Sequence, residues 1–454
     1  MVNTGDTAWV LTSAALVLLM TPGLALFYGG MVRSKSVLNM MMMSFGALAL
    51  VSVLWVLYGY SLAFGDDIGG GLLGDPTEFL GLAGLMEDTT SAAGGLPAMA
   101  FVAFQCVFAI ITVALISGAI ADRAKFGTWL VFVGIWASVV YFPIAHWVFD
   151  FTLTDDDGTV THVGGWIANN LAALDFAGGT AVHINAGAAG LALALVLGKR
   201  QGFGTEAMRP HNLPLVMIGA GLLWFGWFGF NAGSALGANN TASVVFVNTI
   251  VATSAAVLGW LLTEKLRDGH ATSLGAASGV VAGLVAITPA CNALSPIGSI
   301  AVGAIAGVLC ALAVGLKYTF GYDDSLDVVA VHLVGGLWGT LAIGFFATAS
   351  APAGVDAVFY GGGVDQLWRQ CVGAFAVLGV SFVATYLIGL LLEKTIGFRI
   401  DEEDEIAGID AVVHAESGYD LHATGAGSRL MGSPPPVAAT RASDTRTSEG
   451  KVTA

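Results

Sequence analysis

Apolar residues in this chain come in long continuous runs, separated by short stretches that hold nearly all the charged positions. Eleven runs stand out, at 8–31, 37–64, 97–120, 127–149, 178–198, 213–234, 243–263, 274–290, 297–316, 328–349 and 368–392. About 20 apolar residues in helical form cross the hydrocarbon layer of a bilayer. A helix satisfies its own backbone where water is absent, and the alternating segments of a membrane barrel are not seen here. The pattern predicts an all-α polytopic membrane protein, with eleven transmembrane helices in a domain covering 1–393.

The polar stretches orient these spans, because Lys and Arg collect in cytoplasmic loops. Arg33, Lys35, Arg123, Lys125, Lys199, Arg200, Arg209, Lys265, Arg267 and Lys317 fall in alternate loops, and the other cations but one follow the last span. Only Arg369 lies on the opposite side. The expected product is a multi-pass protein of the cell membrane, N-terminus outside and C-terminus in the cytoplasm. No basic leader precedes the first run, so it is expected to remain as a span rather than to be cleaved. Past residue 393 the pattern changes. Residues 394–422 are acidic with sparse apolar positions, and 423–454 are rich in Ser, Thr, Ala, Gly and Pro, which predicts disorder.

Composition agrees: 56% of residues are hydrophobic and 11% charged, with mean hydropathy +0.79. A soluble protein carries about 25% charged residues. The 62 glycines suit close helix packing. The net charge is -15, with acids gathered in the loops 65–96 and 150–170, which argues against a nucleic-acid partner. Cys106, Cys291, Cys310 and Cys371 form no CxxC pair and read as small apolar fillers. With no phosphate-binding loop, catalytic triad or metal cluster, the chain reads as neither an enzyme nor a cofactor protein.

Two similar segments carry the candidate chemistry. "AVHINAG" runs from Ala181 to Gly187 and "AVHLVGG" from Ala330 to Gly336, 149 positions apart. Spans 1–5 and 6–10 form two sets of five. Five is odd, so the second set crosses the bilayer in the opposite sense. His183 in span 5 and His332 in span 10 then occupy equivalent places in an inverted repeat, an arrangement that puts a substrate path at the interface near the midplane. Imidazoles inside a membrane face the bundle interior and find partners. Each neutral ring offers one donor and one acceptor. The pair either joins helices or serves a small polar guest.

"LDFAGGTAVHINAGAAGLALALVLGKR" (Leu174–Arg200) resembles the signature of the ammonium transporter family, Amt/Mep/Rh. So do "WFGFNAGS" (Trp227–Ser234), "FQCVFAIITVALISGAIADR" (Phe104–Arg123), "YFPIAHWVF" (Tyr141–Phe149), "LFYGGMVRSKSVL" (Leu26–Leu38) and "DVVAVHLVGG" (Asp327–Gly336). The resemblance implies a homotrimer in which each subunit has a narrow pore lined by His183 and His332, with Trp227 lining it further in than the gate residues Phe104 and Phe230. It implies that ammonium or methylammonium is recruited at an outer vestibule by Phe108, Phe149 and Ser234 above Asp175, and passes a stacked gate of Phe104 and Phe230. It also implies a trimeric PII-type signalling protein on the cytoplasmic face, with 394–422 as a regulatory tail.

The residues fit those roles chemically. Phe104 and Phe108 share a helix face, as do Trp227, Phe230 and Ser234. An aromatic face attracts a desolvated cation by about 2 kcal/mol. Phe149 stands where the family usually has tryptophan, so a weaker outer site is expected; Trp166 in the following loop is a candidate to fill the gap. Asp175 also reads as an N-cap of span 5, and Asp327 as a cap or ion-pair partner of span 10. His146, His162, His211, His270, His414 and His422 read as surface or interfacial. Rival readings are an ammonium sensor with little flux, an ion-coupled transporter, and a membrane protein clamping haem between two histidines.

Overall fold

In the computed structural model, residues 2–87 and 95–419 are described. The stretch 423–454 expected to be disordered lies outside them. Met1–Gly418 form one compact unit. Among the described residues ten helices are long and apolar enough to cross a membrane: α1 Thr4–Met31, α2 Val37–Phe64, α3 Ala98–Ile120, α4 Phe126–Phe149, α5 Gly179–Leu197, α6 Leu213–Gly233, α7 Asn240–Asp268, α9 Pro296–Phe320, α10 Val329–Phe346 and α11 Asp365–Thr395. The remaining span is the shorter apolar α8, Ser273–Ile287. With α8, the eleven expected spans are all present. An odd number of crossings puts the two chain ends on opposite faces, here called the N-terminal and C-terminal faces. α7 and α11 outrun the expected 243–263 and 368–392, because polar residues at their ends continue the helix beyond the apolar stretch.

Two spans break early, and the breaks are related. α8 stops at Thr288–Pro289, where proline has no N–H to continue the ladder. α3 tightens to a 3₁₀ turn over Ser117–Ile120. The freed carbonyls are used by the segments leading into α5 and α10. Phe176 N donates to Pro289 O at 3.2 Å, and Leu326 N donates to Gly118 O at 3.1 Å. Thus α5 starts from the broken end of α8, and α10 from the broken end of α3, as an inverted repeat requires.

The repeat holds at the level of single residues, 149 positions apart for the matched residues and within one position of that for the helical turns. Asp175 accepts from the N–H groups of Gly178, Gly179 and Thr180 at 2.6–2.8 Å. Its mate Asp324 accepts from Val329 N at 2.7 Å. Gly178 (φ 108°) and Asp327 (φ 63°) are both left-handed. The first turns of α5 and α10, Gly179–Ile184 and Val329–Val334, are both π-helical, a local widening frequent at functional sites. Asp327 is therefore not the cap of α10; it pairs with Lys317 Nζ at 2.8 Å. The final glycines of the two quoted segments permit the crossing. A Cβ on Gly187 would lie 2.5 Å from Leu333 N, and one on Gly336 3.1 Å from His183 Cβ.

On the C-terminal face, Arg200 joins Asp323 (2.8 Å) to Asp122 (3.2 Å). Burial would raise the Asp323 carboxyl, but Arg200 brings it below the ordinary range. Residues after α11 are docked here through two short helices, α12 Glu402–Ala407 and α13 Ile409–Val413. Glu405 accepts from Arg399 Nη2 (2.8 Å) and Gln201 N (2.7 Å), and Asp410 caps α2 at Leu38 N and Asn39 N.

On the N-terminal face, His146 is wholly buried rather than interfacial. It lies between Asp67 (3.3 Å) and Asp150 (3.2 Å), because a buried imidazole needs partners. His162 meets both Asp150 oxygens at 2.9 Å and faces Asp66 at 3.8 Å. The Asp150 hydrogen bond raises the His162 pKa above 6.5 against the effect of burial, with the charges of Asp150, Asp66 and Glu78 adding to it. A raised histidine pKa gives a tie that is complete below the unperturbed value and lost as pH rises through the folded one. Limited proteolysis within 150–170 should therefore accelerate as the pH is raised above 6.5, and His162→Gln should flatten that dependence. An unchanged pH profile in the variant would refute the tie.

Candidate functional site

The inverted repeat brings its two histidines together. His183 and His332 are 1% and 3% exposed. Their Nδ1 atoms are 3.3 Å apart, and their rings lie 5.3 Å apart at 27°. One Nδ1 must donate and the other accept. The tautomers follow: one ring presents an Nε2 lone pair and the other an Nε2–H. His183 Nε2 is buried without a protein partner. The pair therefore satisfies itself and still holds polar capacity for a guest.

Beside the pair is an enclosed cavity of ≈ 10 Å³, the room open to the centre of a water-sized molecule. Its walls include His183, His332, Trp227, Phe230, Tyr28 and Leu115. That is space for about one water, and a haem macrocycle between the rings has no room. Trp227 stacks on His183 at 5.4 Å and 23°, level with the histidines. Among the described residues no group of three His, Cys, Asp or Glu is arranged to hold a metal.

Toward the N-terminal face from the histidines lies a cluster of aromatic rings. Phe108 stacks on Phe230 at 4.2 Å and 22°, and Phe104 packs on Phe108 at 4.9 Å and 58°. The stacked pair is thus Phe108 with Phe230, not Phe104 with Phe230. The reason is direction: α3 enters from the N-terminal face and α6 runs toward it. Phe104 is one turn nearer that face than Phe108, and Ser234 one turn nearer than Phe230. Ser234 Oγ donates to Phe230 O at 2.8 Å, which leaves its lone pairs to accept. Phe149 meets Phe108 edge-on at 6.3 Å and 79°. Trp166 does not fill the gap beside it. It packs 5.8 Å from Trp147, whose indole is held by Leu72 O at 2.8 Å.

Asp175 is occupied by the start of α5. Besides its three short backbone contacts it accepts from the Thr180 hydroxyl and from Ala181 N (3.3 Å). It acts as a cap that fixes the π-helical turn carrying His183, and its oxygens are not free to bind a cation directly. Residue reading along the chain missed Thr288, Asn231, Tyr28 and Asp324. Only Asp324 had a signal, its 149-position offset from Asp175.

Phe149→Trp should tighten cation capture, since indole is the best cation–π face, by about 0.5–1 kcal/mol at a partly exposed site. The expected result is a roughly 2- to 5-fold lower half-saturating methylammonium concentration. An unchanged or higher value would remove Phe149 from the recruitment site.

Comparison with known proteins gives one answer. Residues 8–419 match the Ammonium Transporter Family. The chain is 62% identical over 437 residues to an ammonium transporter of Mycobacterium tuberculosis (strain ATCC 25618 / H37Rv), covering 92% of this chain and 90% of that one. It is 47% identical over 419 residues to an ammonium transporter of Bacillus subtilis (strain 168), covering 91% and 98%. Among solved structures, Saccharomyces cerevisiae Mep2 superposes with TM-score 0.79 at 33% identity, covering 88% of each chain. A protein described as a sensor Amt protein superposes with TM-score 0.81 at 28% identity, covering 90% and 98%. With the bundle, its internal repeat and nearly its whole length matched in this way, the chain belongs to the ammonium transporter family.

Proposed function

We propose that the protein recruits ammonium at the N-terminal face, hands its proton there to water or to the histidine pair, and conducts the resulting ammonia past the paired histidines. The observation that carries this reading is the self-satisfied pair, with an unpartnered Nε2 beside a cavity of about one water's size. A bare ion in hydrocarbon costs of order 20 kcal/mol by the idealised Born estimate. Two aromatic faces and a hydroxyl do not offset that along an apolar lumen, whereas neutral ammonia exchanges donors and acceptors with imidazoles. Potassium has no proton to lose, so the same pore excludes it without an ion cage.

In this reading the cation meets Phe104, Phe149 and Ser234, and the Phe108–Phe230 stack is the gate below. The N-terminal face is outside, since 16 of the 17 Lys and Arg residues lie toward the other face or in the region after α11. The subunit assembles as a homotrimer, and a PII-type protein binds the cytoplasmic face, where 396–418 docks. The methylated analogue shares the path. A planar-bilayer recording with ammonium varied at fixed voltage, beside uptake into proteoliposomes, tests this. Ammonium uptake at the rate of empty liposomes overturns it, and a proportional current shows that the proton crosses too. The second reading, a sensor with little flux, is favoured by the likeness to a sensor Amt protein; tight ammonium binding without uptake would select it.

A further inference from the structure

Trp227, stacked on His183, is also held at its indole nitrogen. Its Nε1 donates to Thr288 Oγ1 at 2.8 Å. That hydroxyl in turn has two acceptors for its own hydrogen, Leu284 O at 2.7 Å and Asn231 Oδ1 at 3.2 Å. Asn231 Nδ2 donates to Thr249 Oγ1 at 3.0 Å, and Thr249 donates to Val245 O at 2.8 Å. Thr288, Asn231 and Thr249 are 0% exposed. The chain of bonds thus runs from α6 through the broken end of α8 and across to α7. Trp227 and Asn231 are four apart on α6, so both face the same break.

The geometry points to Thr288 as a positioning residue that sets the size selectivity of the pore by fixing the Trp227 indole against His183. This inference rests on the proposed conduction path. The indole lies near-parallel to the His183 ring at 23°, and His183 lies near-parallel to His332 at 27°. The orientation of one wall of a cavity sized for a single water therefore depends on one hydroxyl. Without that acceptor the indole N–H is a buried donor with nothing to meet, which biases its rotamer equilibrium by about tenfold. A turned indole changes the clearance beside His183, where a methyl group decides between ammonium and methylammonium. Such a group in an apolar pocket is discriminated about 10-fold or more when the fit is tight.

The test measures methylammonium and ammonium uptake in proteoliposomes for the wild type, Thr288→Val, Thr288→Ser, Trp227→Phe and the double variant Trp227→Phe/Thr288→Val. Thr288→Val is expected to raise the methylammonium-to-ammonium rate ratio about 5-fold, and Thr288→Ser, which keeps the hydroxyl, to restore the wild-type ratio. Trp227→Phe lacks the donor, so adding Thr288→Val to it should change the ratio less than about 2-fold. A role for Thr288 only in holding α8 would instead give the same effect in both backgrounds, and that result overturns the inference. A wild-type ratio in Thr288→Val overturns it too. Should Thr288→Val not assemble, a wild-type ratio in Trp227→Phe has the same force. Wild-type protein without uptake refutes the conduction path itself, whereas normal wild-type uptake with an unresponsive Thr288 refutes only this inference.

Discussion

Selective ammonium uptake should fall about 100-fold or more in His183→Ala and in His332→Ala, the scale of loss when one preorganised polar group leaves a water-excluded site. Each substitution removes a ring from the lumen and also orphans the Nδ1 of its partner, because the two contact each other at 3.3 Å. The fold should survive, since Gly187 and Gly336 and the capping carboxylates, not the imidazoles, set the helix crossing. Ammonium-dependent alkalinisation or acidification inside proteoliposomes, with size-exclusion chromatography as the assembly control, reads the outcome. Full, selective uptake by both variants would end the two-histidine account.

Asp175→Ala should cost stability as well as transport. Its carboxylate accepts from the N–H groups of Gly178 and Gly179, and it also serves those of Thr180 and Ala181 and the Thr180 hydroxyl. Each buried group left without a partner costs about 1–3 kcal/mol. Partial rescue by water brings the total to several kcal/mol, or roughly 5–10 °C in the midpoint of thermal unfolding. Asp175→Asn keeps one acceptor oxygen and should fall between. Because α5 begins at this cap, ammonium uptake should decline together with stability. A midpoint within about 1 °C of wild type would show that the cap is dispensable.

Much of this site was readable along the chain, and the limits have physical causes. The motif repeat, the odd number of spans per half and the cost of an imidazole in lipid together placed His183 and His332 side by side at the interface of the two halves. The same 149-position offset would have carried Asp175 onto Asp324, but attention to the motif nearer His332 singled out Asp327 as a cap or ion-pair partner, and of these it is the ion-pair partner of Lys317. The order of the phenylalanines was misassigned for a different reason. Helical spacing says that Phe104 and Phe108 share a face, but not which of them meets Phe230. That depends on α3 and α6 running in opposite directions through the bundle. His146 looked interfacial because its partners, Asp67 and Asp150, lie in two separate loops whose meeting no local pattern reveals.

By itself the sequence determined the number of crossings, their likeness in two inverted halves, the family and the identity of the central rings. These properties are written in runs of about 20 residues and in motifs, and the membrane enforces them through backbone hydrogen bonding and the cost of charge. Tertiary structure alone decided the rest: the Nδ1 contact that makes the two tautomers opposite, the Phe108–Phe230 stack, and the Thr288 hydroxyl bonded to Trp227. Each is a contact between helices far apart in the chain. In a close-packed bundle, shifts of one helical turn choose between partners that local spacing leaves equivalent.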